Sequence, residues 1–215
     1  MTTQQAALPE LAAVPWRRRE TSATLRTRAR LWTLTIVAHV VPFVVVAVVL
    51  FLIQPYSAPV GLIALAQAWL IPKLYAARGA NVIKPKGTRH EGAEPVAQGL
   101  LGDLLGHEAR ELQRATGLAM ERSSLGVWLV GEAGALLVVP RGRIVHCFCV
   151  SADASELPPS DRVAHLLLAL RTDEQGFATV ANHAFAGAPW RIRRRMAREA
   201  RPALRAAVRA ARPLR

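Results

Sequence analysis

The stretch Leu31–Ile53, LWTLTIVAHVVPFVVVAVVLFLI, runs for 23 residues without an aspartate, glutamate, lysine or arginine. As a helix it would be about 34 Å long, which is enough to cross a hydrocarbon core of about 30 Å with some tilt. A cleavable signal peptide has an apolar core of about 7–15 residues behind a short basic start. Here thirty residues precede a longer apolar run. The stretch therefore predicts an uncleaved transmembrane helix.

A second apolar stretch follows the short loop QPYSAP. It predicts a span over about 59–76, provided that the Lys73 ammonium extends toward the headgroups; the alternative is a helix that lies in the interface. Both spans have basic residues at the same end, and the loop between them has none: Arg17, Arg18, Arg19, Arg26, Arg28 and Arg30 precede the first, and Lys73, Arg78, Lys84, Lys86 and Arg89 end or follow the second. The positive-inside rule then predicts a multi-pass protein of the plasma (inner) membrane with both termini cytoplasmic.

Each predicted span contains a polar side chain at a similar depth. His39 and Gln67 each lie eight residues from the cytoplasmic end of their span. A polar group in lipid is costly unless it is hydrogen-bonded. We predict an intramembrane contact in which His39 faces Gln67 or bonds locally to the carbonyl of Thr35. With no acidic neighbour in either span, His39 is expected to join helices rather than to relay protons.

The rest of the chain predicts a small domain of the α+β class. The expected divisions are a basic polar arm over 1–30, a transmembrane hairpin over 31–77, a linker over 78–95, a cytoplasmic α+β domain over 96–187 and an Arg-rich amphipathic helix over 188–215. The linker is expected because Pro and Gly interrupt its polar residues.

Apolar periodicity places the elements of that domain. Leucines at helical spacing predict a helix over 96–116, and three short β-type runs separated by turns predict an antiparallel meander. The predicted strands are Leu125–Val130, Ala135–Val139 and Arg143–Val150, with a possible fourth over Gly176–Asn182. A further helix should begin with Ser160 as its N-cap. The result is a three- to four-stranded antiparallel sheet with helices.

The most reactive side chains form the motif HCFC, residues 146–149. On a strand, Cys147 and Cys149 share one face, so a metal would need distant ligands such as His183 or His107. No second paired cluster exists, so the cysteines are interpreted as core residues of a reducing compartment. No phosphate loop, dinucleotide fingerprint or hydrolase elbow occurs, and no lysine follows Lys86. We therefore predict no catalytic residue, cofactor or metal.

Charge is distributed unevenly along the chain. The net charge is +13, yet residues 95–185 carry seven Lys/Arg against ten Asp/Glu, whereas residues 186–215 carry ten against one. The acidic residues of the middle, including Asp173 and Glu174, are interpreted as solvated surface. The Arg, Ala and Leu bias is typical of a GC-rich bacterial genome.

The segment WRIRRRMAREAR, residues 190–201, contains six arginines. On one helix from Trp190, arginines at steps of three or four form a basic stripe: Arg191, Arg194, Arg198, Arg201, Arg205 and Arg209. Tethered beneath an anionic leaflet, such a stripe is predicted to contact lipid headgroups. The alternatives are nucleic acid and a solvated tail.

These patterns favour an integral membrane protein whose cytoplasmic domain is a non-catalytic binding or scaffold module, acting through a protein partner or self-association. Two other functions remain open. One is a membrane-tethered nucleic-acid-binding protein that uses the C-terminal arginines, and the other is a membrane-bound enzyme of unknown reaction.

Overall fold

The computed structural model describes residues 18–85, 92–150 and 157–212. Most of the predicted arm and the centre of the predicted linker, with Lys86 and Arg89, lie outside these residues. The helices are α1 (Ser22–Ile53), α2 (Ala58–Asn81), α3 (Glu94–Leu104), α4 (His107–Thr116), α5 (Pro159–Thr172), α6 (Glu174–Val180), α7 (Pro189–Arg193) and α8 (Arg201–Ala210). The strands are β1 (Ala119–Arg122), β2 (Val127–Gly131), β3 (Gly134–Val138), β4 (Val145–Cys149) and β5 (Asn182–Gly187).

Helices α1 and α2 form a hairpin whose contact surface is made of small residues. Gly61, Ala64 and Ala68 are buried along α2, and Ala47 is buried on α1. A Cβ atom at position 61 would lie 2.9 Å from Cζ of Phe51, so glycine is what allows the two backbones to approach there. Small residues at this spacing are the usual means of close helix packing in lipid.

The outer surface of the hairpin is apolar and uncovered by protein. Both helices are long and apolar enough to span a membrane, and only 11% and 22% of their most apolar windows is buried. Leu52, Ile53 and Trp69 are 80%, 76% and 66% exposed. A core helix of a soluble protein would bury this surface, whereas here most of it is exposed.

Helix α1 begins nine residues before the predicted span. The first helix was expected at Leu31, after a polar arm, but Thr21 forms a capping box with Thr24 and starts the helix at Ser22. Leu25 is 1% exposed in the core of the domain. Arg19 and Glu20 bond to Asp173 and Thr179. The last part of the predicted arm therefore belongs to the domain.

Helix α2 also continues past its predicted end, so the predicted linker starts too early. The helix ends at Asn81, and Val82 and Ile83 are buried against the sheet. A Cβ atom at Gly79 would lie 2.8 Å from Cβ of Phe185 and 3.0 Å from Sγ of Cys147. The hairpin is thus packed on the sheet rather than tethered to it.

The sheet is a five-stranded antiparallel meander in the order β1-β2-β3-β4-β5. The three strands predicted with turns between them are confirmed as β2, β3 and β4. The possible strand over Gly176–Asn182 is wrong, because Asp173 caps α6 by accepting from the amide of Gly176. The chain becomes extended only from Asn182, as β5.

Helices cover both faces of the sheet, which gives three layers. Trp128, Leu137 and Phe148 point to the layer of α3, α5 and α6, in a core that also contains Leu25. Leu129, Leu136, Val138, Val145 and Cys147 point to the layer of α2, α7 and α8. The inner ends of the hairpin are therefore structural parts of the domain.

Two helix predictions need correction. The helix predicted over 96–116 is divided into α3 and α4, because Leu105 is extended (φ −103°, ψ 140°) and Gly106 takes the N-cap position of α4. Ser160 lies inside α5, whose N-cap is Pro158. Its hydroxyl instead donates to Glu94 at 2.6 Å, which ties α5 to the start of α3.

Candidate functional site

A chain of hydrogen bonds joins the hairpin to the sheet. The indole Nε1 of Trp32 on α1 donates to Nδ1 of His183 on β5 at 3.2 Å, and Nε2 of His183 lies 3.0 Å from Nδ1 of His146 on β4. The Trp32 ring also packs on Tyr75 of α2 and Phe185 of β5, with centroids 5.5 and 5.7 Å away. Trp32 therefore lies where α1, α2 and β5 meet.

The direction of these bonds makes both histidines neutral. An indole nitrogen only donates, so Nδ1 of His183 must accept, and its proton lies on Nε2. That proton is donated to His146, whose own proton is then on Nε2. Burial, aided by the nearby charge of Arg28, lowers the pKa of His183 to about 4. Burial, and to a smaller extent the nearby His183 and Arg28, lowers the pKa of His146 to about 3.

An open cavity lies beside this pair and carries charge of both signs. Its volume is about 400 Å³, and its walls include His183, Arg28 and Glu20. Glu20 is 2% exposed, pairs with Arg28 and accepts from the hydroxyl of Thr24 at 2.9 Å. The charged groups thus satisfy one another, which is the condition for burying them.

The two cysteines lie on one face of β4, as alternation requires. Cys147 is fully buried, which raises the pKa of its thiol, and Cys149 is half-buried. His183, considered above as a distant metal ligand, bonds to His146 instead. Among residues 18–85, 92–150 and 157–212, no three His, Cys, Asp or Glu side chains gather as metal ligands do.

His39 and Gln67, the polar residues of the two predicted spans, have different surroundings. Nδ1 of His39 lies 2.6 Å from the carbonyl oxygen of Thr35, the local alternative, and its ring stands edge-on to Tyr75 at 5.9 Å. Gln67 is on the exposed outer side of α2. His39 therefore contacts the second helix through an aromatic ring.

The arginine stripe does not form on one helix, because the chain turns between α7 and α8. Helix α7 ends at Arg193, and Pro202 lies in the first turn of α8. Arg201 folds back, and its Nε donates to the carbonyl of Met196 at 3.3 Å. Arg198 is exposed in the turn between the helices. The six predicted arginines are thus separated into different environments.

Arg191 and Arg194 form one group with Trp190, which we call the aromatic-basic rim. Their guanidinium carbons lie 5.4 and 5.0 Å from the centroid of the Trp190 ring, and the ring is 50% exposed. Helix α7, which contains Trp190 and Arg191, packs on α2, where Cδ1 of Ile192 lies 3.1 Å from the position of a Cβ atom at Gly79. On α2, the ammonium of Lys73 lies over the ring of Trp69.

Arg205 and Arg209 belong to a second group, in a groove between α7, α8 and the turn from β3 to β4. This arginine groove has a volume of about 620 Å³. Arg193 and Arg212 complete the set of four guanidinium groups along its walls. Helical spacing did not single out Arg193, because its place in the groove depends on the turn after α7.

The groove lies at one end of β4 and β5. Along α2, Tyr75 packs on Trp32 and Gly79 lies over Phe185. Val82 lies against Gly134, at one end of the sheet. Gly187 and Val145 pair at the opposite end of the sheet. Helix α7 follows Gly187, and the turn that contains Gly142 precedes Val145. The groove, which is lined by Gly142 and by Pro189 of α7, is therefore at the end of the sheet where Val145 pairs with Gly187.

No protein-family model, curated protein or solved structure matches this chain. Its function must be argued from these sites.

Proposed function

We propose that this chain is an integral protein of the plasma (inner) membrane with both termini cytoplasmic. In this proposal α1 and α2 span the bilayer, and the α+β domain is a non-catalytic binding or scaffold module whose basic C-terminal segment contacts the anionic inner leaflet. The observation that carries the proposal is that α7, which contains Trp190 and Arg191 of the aromatic-basic rim, packs on the apolar helix α2, with Cδ1 of Ile192 3.1 Å from the position of a Cβ atom at Gly79.

The dimensions of the hairpin support two spans. From Leu31 to Ile53 the side chains on α1 are largely exposed and apolar, a length of about 34 Å at the helical rise. On α2 the segment from Ala58 to Tyr75 is about 27 Å long and ends beside Arg78. A cleaved signal sequence is disfavoured, because cleavage would remove Leu25 and Trp32 from the domain.

The rim has the composition of a membrane interface. Tryptophan prefers the headgroup level, and arginine attracts anionic lipids. Lys73 lies one turn past Trp69 on α2 with its ammonium over the Trp69 ring, so α2 carries a cation and an aromatic ring at the level where its apolar part ends. A packed hairpin holds this level constant, which a flexible tether would not do.

The His146–His183 pair supports a structural rather than a catalytic role for the domain. Catalytic bases have a pKa near the working pH, whereas both rings here are held neutral far below it. Each ring nitrogen that faces the other ring or Trp32 is already used in a hydrogen bond.

Amide hydrogen exchange of the full-length protein in nanodiscs tests leaflet contact. We expect residues 188–198 to exchange more slowly in discs with about 30% anionic lipid than in phosphatidylcholine discs, since headgroups shield that segment. The exposed helix α4 is the internal reference. Arg191→Gln with Arg194→Gln should abolish the difference, and Arg114→Gln with Arg122→Gln should preserve it. Equal exchange in both kinds of disc contradicts leaflet contact.

The same discs test the nucleic-acid alternative. We expect a fluorescent 20-nucleotide DNA to bind to phosphatidylcholine discs only at low salt, because the arginines are split between two sites rather than aligned along one strand path. Tight binding at physiological salt that is lost with Arg191→Gln and Arg194→Gln would favour the alternative.

A further inference from the structure

We infer that the arginine groove between α7 and α8 is a binding site for a ligand that carries two phosphate groups. The ligand is either a lipid headgroup or a soluble diphosphate. The inference extends the proposed function from a general attraction to lipid to one discrete site.

The charge of the groove is of one sign. Arg193, Arg205, Arg209 and Arg212 line it, and none of its lining residues is acidic. Within residues 18–85, 92–150 and 157–212, none of these four guanidinium groups forms an ion pair with a carboxylate. Four cations held together repel one another, so a multivalent anion would be bound strongly.

The groove is lined by apolar residues as well as by arginines. Leu204 is 1% exposed in the core, and Val208 and Pro189 lie beside it. Trp190 also lines the groove. A volume of about 620 Å³ lies within the range of about 300–1,000 Å³ usual for small-molecule sites. The lining therefore suits a ligand in which an anionic group is attached to an apolar or aromatic part.

The turn that closes the groove is fixed to α8. Gly142 has φ of +65°, and a Cβ atom there would lie 2.9 Å from the carbonyl oxygen of Val208. The amide of Arg141 donates to the carbonyl of Ala211 at 2.8 Å. The bond and the close approach hold α8 against this turn, and α7 packs on α8, so the backbone that carries the arginines is in place before a ligand binds.

Phosphate chemistry fits the donors better than carboxylate chemistry. Each guanidinium can donate two parallel hydrogen bonds to one phosphate, and four of them match the oxygens of two phosphates. A ligand with a single carboxylate would leave most of the positive charge uncompensated.

Calorimetry of the full-length protein in phosphatidylcholine nanodiscs tests the site, with inorganic pyrophosphate as the probe. We expect saturable binding of one pyrophosphate per chain. Arg205→Gln with Arg209→Gln should weaken it by about tenfold or more, because two charge-assisted contacts are lost. The matched control, Arg114→Gln with Arg122→Gln, removes the same charge from exposed residues outside the groove and should change the affinity by less than about threefold. Equal loss in both variants, or no saturable binding, overturns the inference.

A second titration identifies the source of the phosphates. In discs with about 10% cardiolipin, a lipid with two phosphates, a headgroup ligand would occupy the groove and weaken apparent pyrophosphate binding, whereas a soluble ligand would still bind. Either result supports the site, and only the lipid result rests on the proposed function. If the leaflet contact is wrong, hydrogen exchange of residues 188–198 will not depend on anionic lipid. If the groove is not a phosphate site, pyrophosphate will not bind saturably. The two outcomes are measured separately.

Discussion

His183 connects two parts of the molecule because its ring is hydrogen-bonded on both sides. Trp32 donates to one nitrogen, and the other donates to His146. A proton added to Nδ1 of His183 would face the indole N–H, and a proton added to Nδ1 of His146 would face the Nε2–H of His183. The arrangement is therefore compatible only with neutral rings, which agrees with the lowered pKa values of both.

We predict that the protein loses stability on acidification through this pair. The unfolded histidines titrate near pH 6.5, whereas the folded pKa values are about 4 for His183 and about 3 for His146. The unfolded chain thus binds more protons than the folded chain below pH 6.5, so stability is full above that pH and falls as the pH drops toward 4. The Tm in neutral detergent should decrease by about 10 °C between pH 7 and 4.5.

Two variants isolate the contribution of the pair. His183→Gln keeps a polar side chain that does not titrate, so its Tm should vary with pH distinctly less than that of the wild type. His107→Gln changes an exposed histidine that pairs with Glu111 on the surface of α4, and its profile should match the wild type. A His183→Gln profile as steep as the wild type would contradict this origin of the acid sensitivity.

Glu174 was interpreted from the sequence as solvated surface, and this is wrong. Its carboxylate accepts from the indole of the buried Trp128 at 2.7 Å and from the amide of Leu125 at 3.1 Å, besides the hydroxyls of Ser123 and Ser124. A single side chain at the start of α6 thus satisfies the turn between β1 and β2. No local pattern indicates this, because the partners lie about fifty residues away.

Glu174→Ala should lower the free energy of unfolding by about 2–4 kcal/mol, because the Trp128 and Leu125 donors would lose their acceptor in a buried place. Denaturant unfolding followed by tryptophan fluorescence measures the change. Glu108→Ala, in the exposed first turn of α4, should cost about 0.5 kcal/mol or less. Equal effects of the two substitutions would rule out the role given to Glu174.

At the scale of elements, the contact between α2 and the sheet depends on one glycine. Gly79 lies over Phe185, Cys147 and Ile192, all within 3.1 Å of where a Cβ atom would be. The helix can approach the strands this closely only without a side chain at that position. The hairpin and the sheet are thereby held as one packed unit.

Gly79→Ala should destabilise the protein by about 1–3 kcal/mol, since the helix must move away from the sheet or displace Phe185. Gly99→Ala is the matched control, because Gly99 is also helical but has nothing within 4 Å of its Cβ position. That substitution should be stabilising by about 0.5–1 kcal/mol. Thermal unfolding of both variants in the same detergent gives the comparison, and a neutral Gly79→Ala would contradict the close approach.

At the scale of the whole molecule, the proposed topology predicts which positions face outward. Tyr56, at the tip of the hairpin, is 91% exposed. In intact cells, a membrane-impermeant maleimide should label Tyr56→Cys, and it should label Glu108→Cys only after permeabilisation. A Cys149→Ser background removes the half-buried native thiol, while Cys147 is fully buried. Labelling of Glu108→Cys in intact cells would show that the orientation is the opposite of the one proposed.

Some features of this protein were determined by the sequence itself, because the signals are local. Twenty-three residues without an aspartate, glutamate, lysine or arginine, most of them apolar, predict a helix long enough to span a membrane whatever surrounds it. The meander of β2, β3 and β4 follows from short apolar runs joined by turns, since neighbouring strands need only a turn to pair.

Other features were decided only by the tertiary structure. The strand expected over Gly176–Asn182 became α6 because Asp173 caps a helix there, and β5 pairs with β4 across more than thirty residues. Helix α1 starts early because Leu25 enters a core made by strands and helices far along the chain. The arginines, which share one stripe in the sequence, were separated into a rim and a groove by the turn after Arg193. Charge along a chain shows how many cations are present, but packing decides which of them face the same ligand.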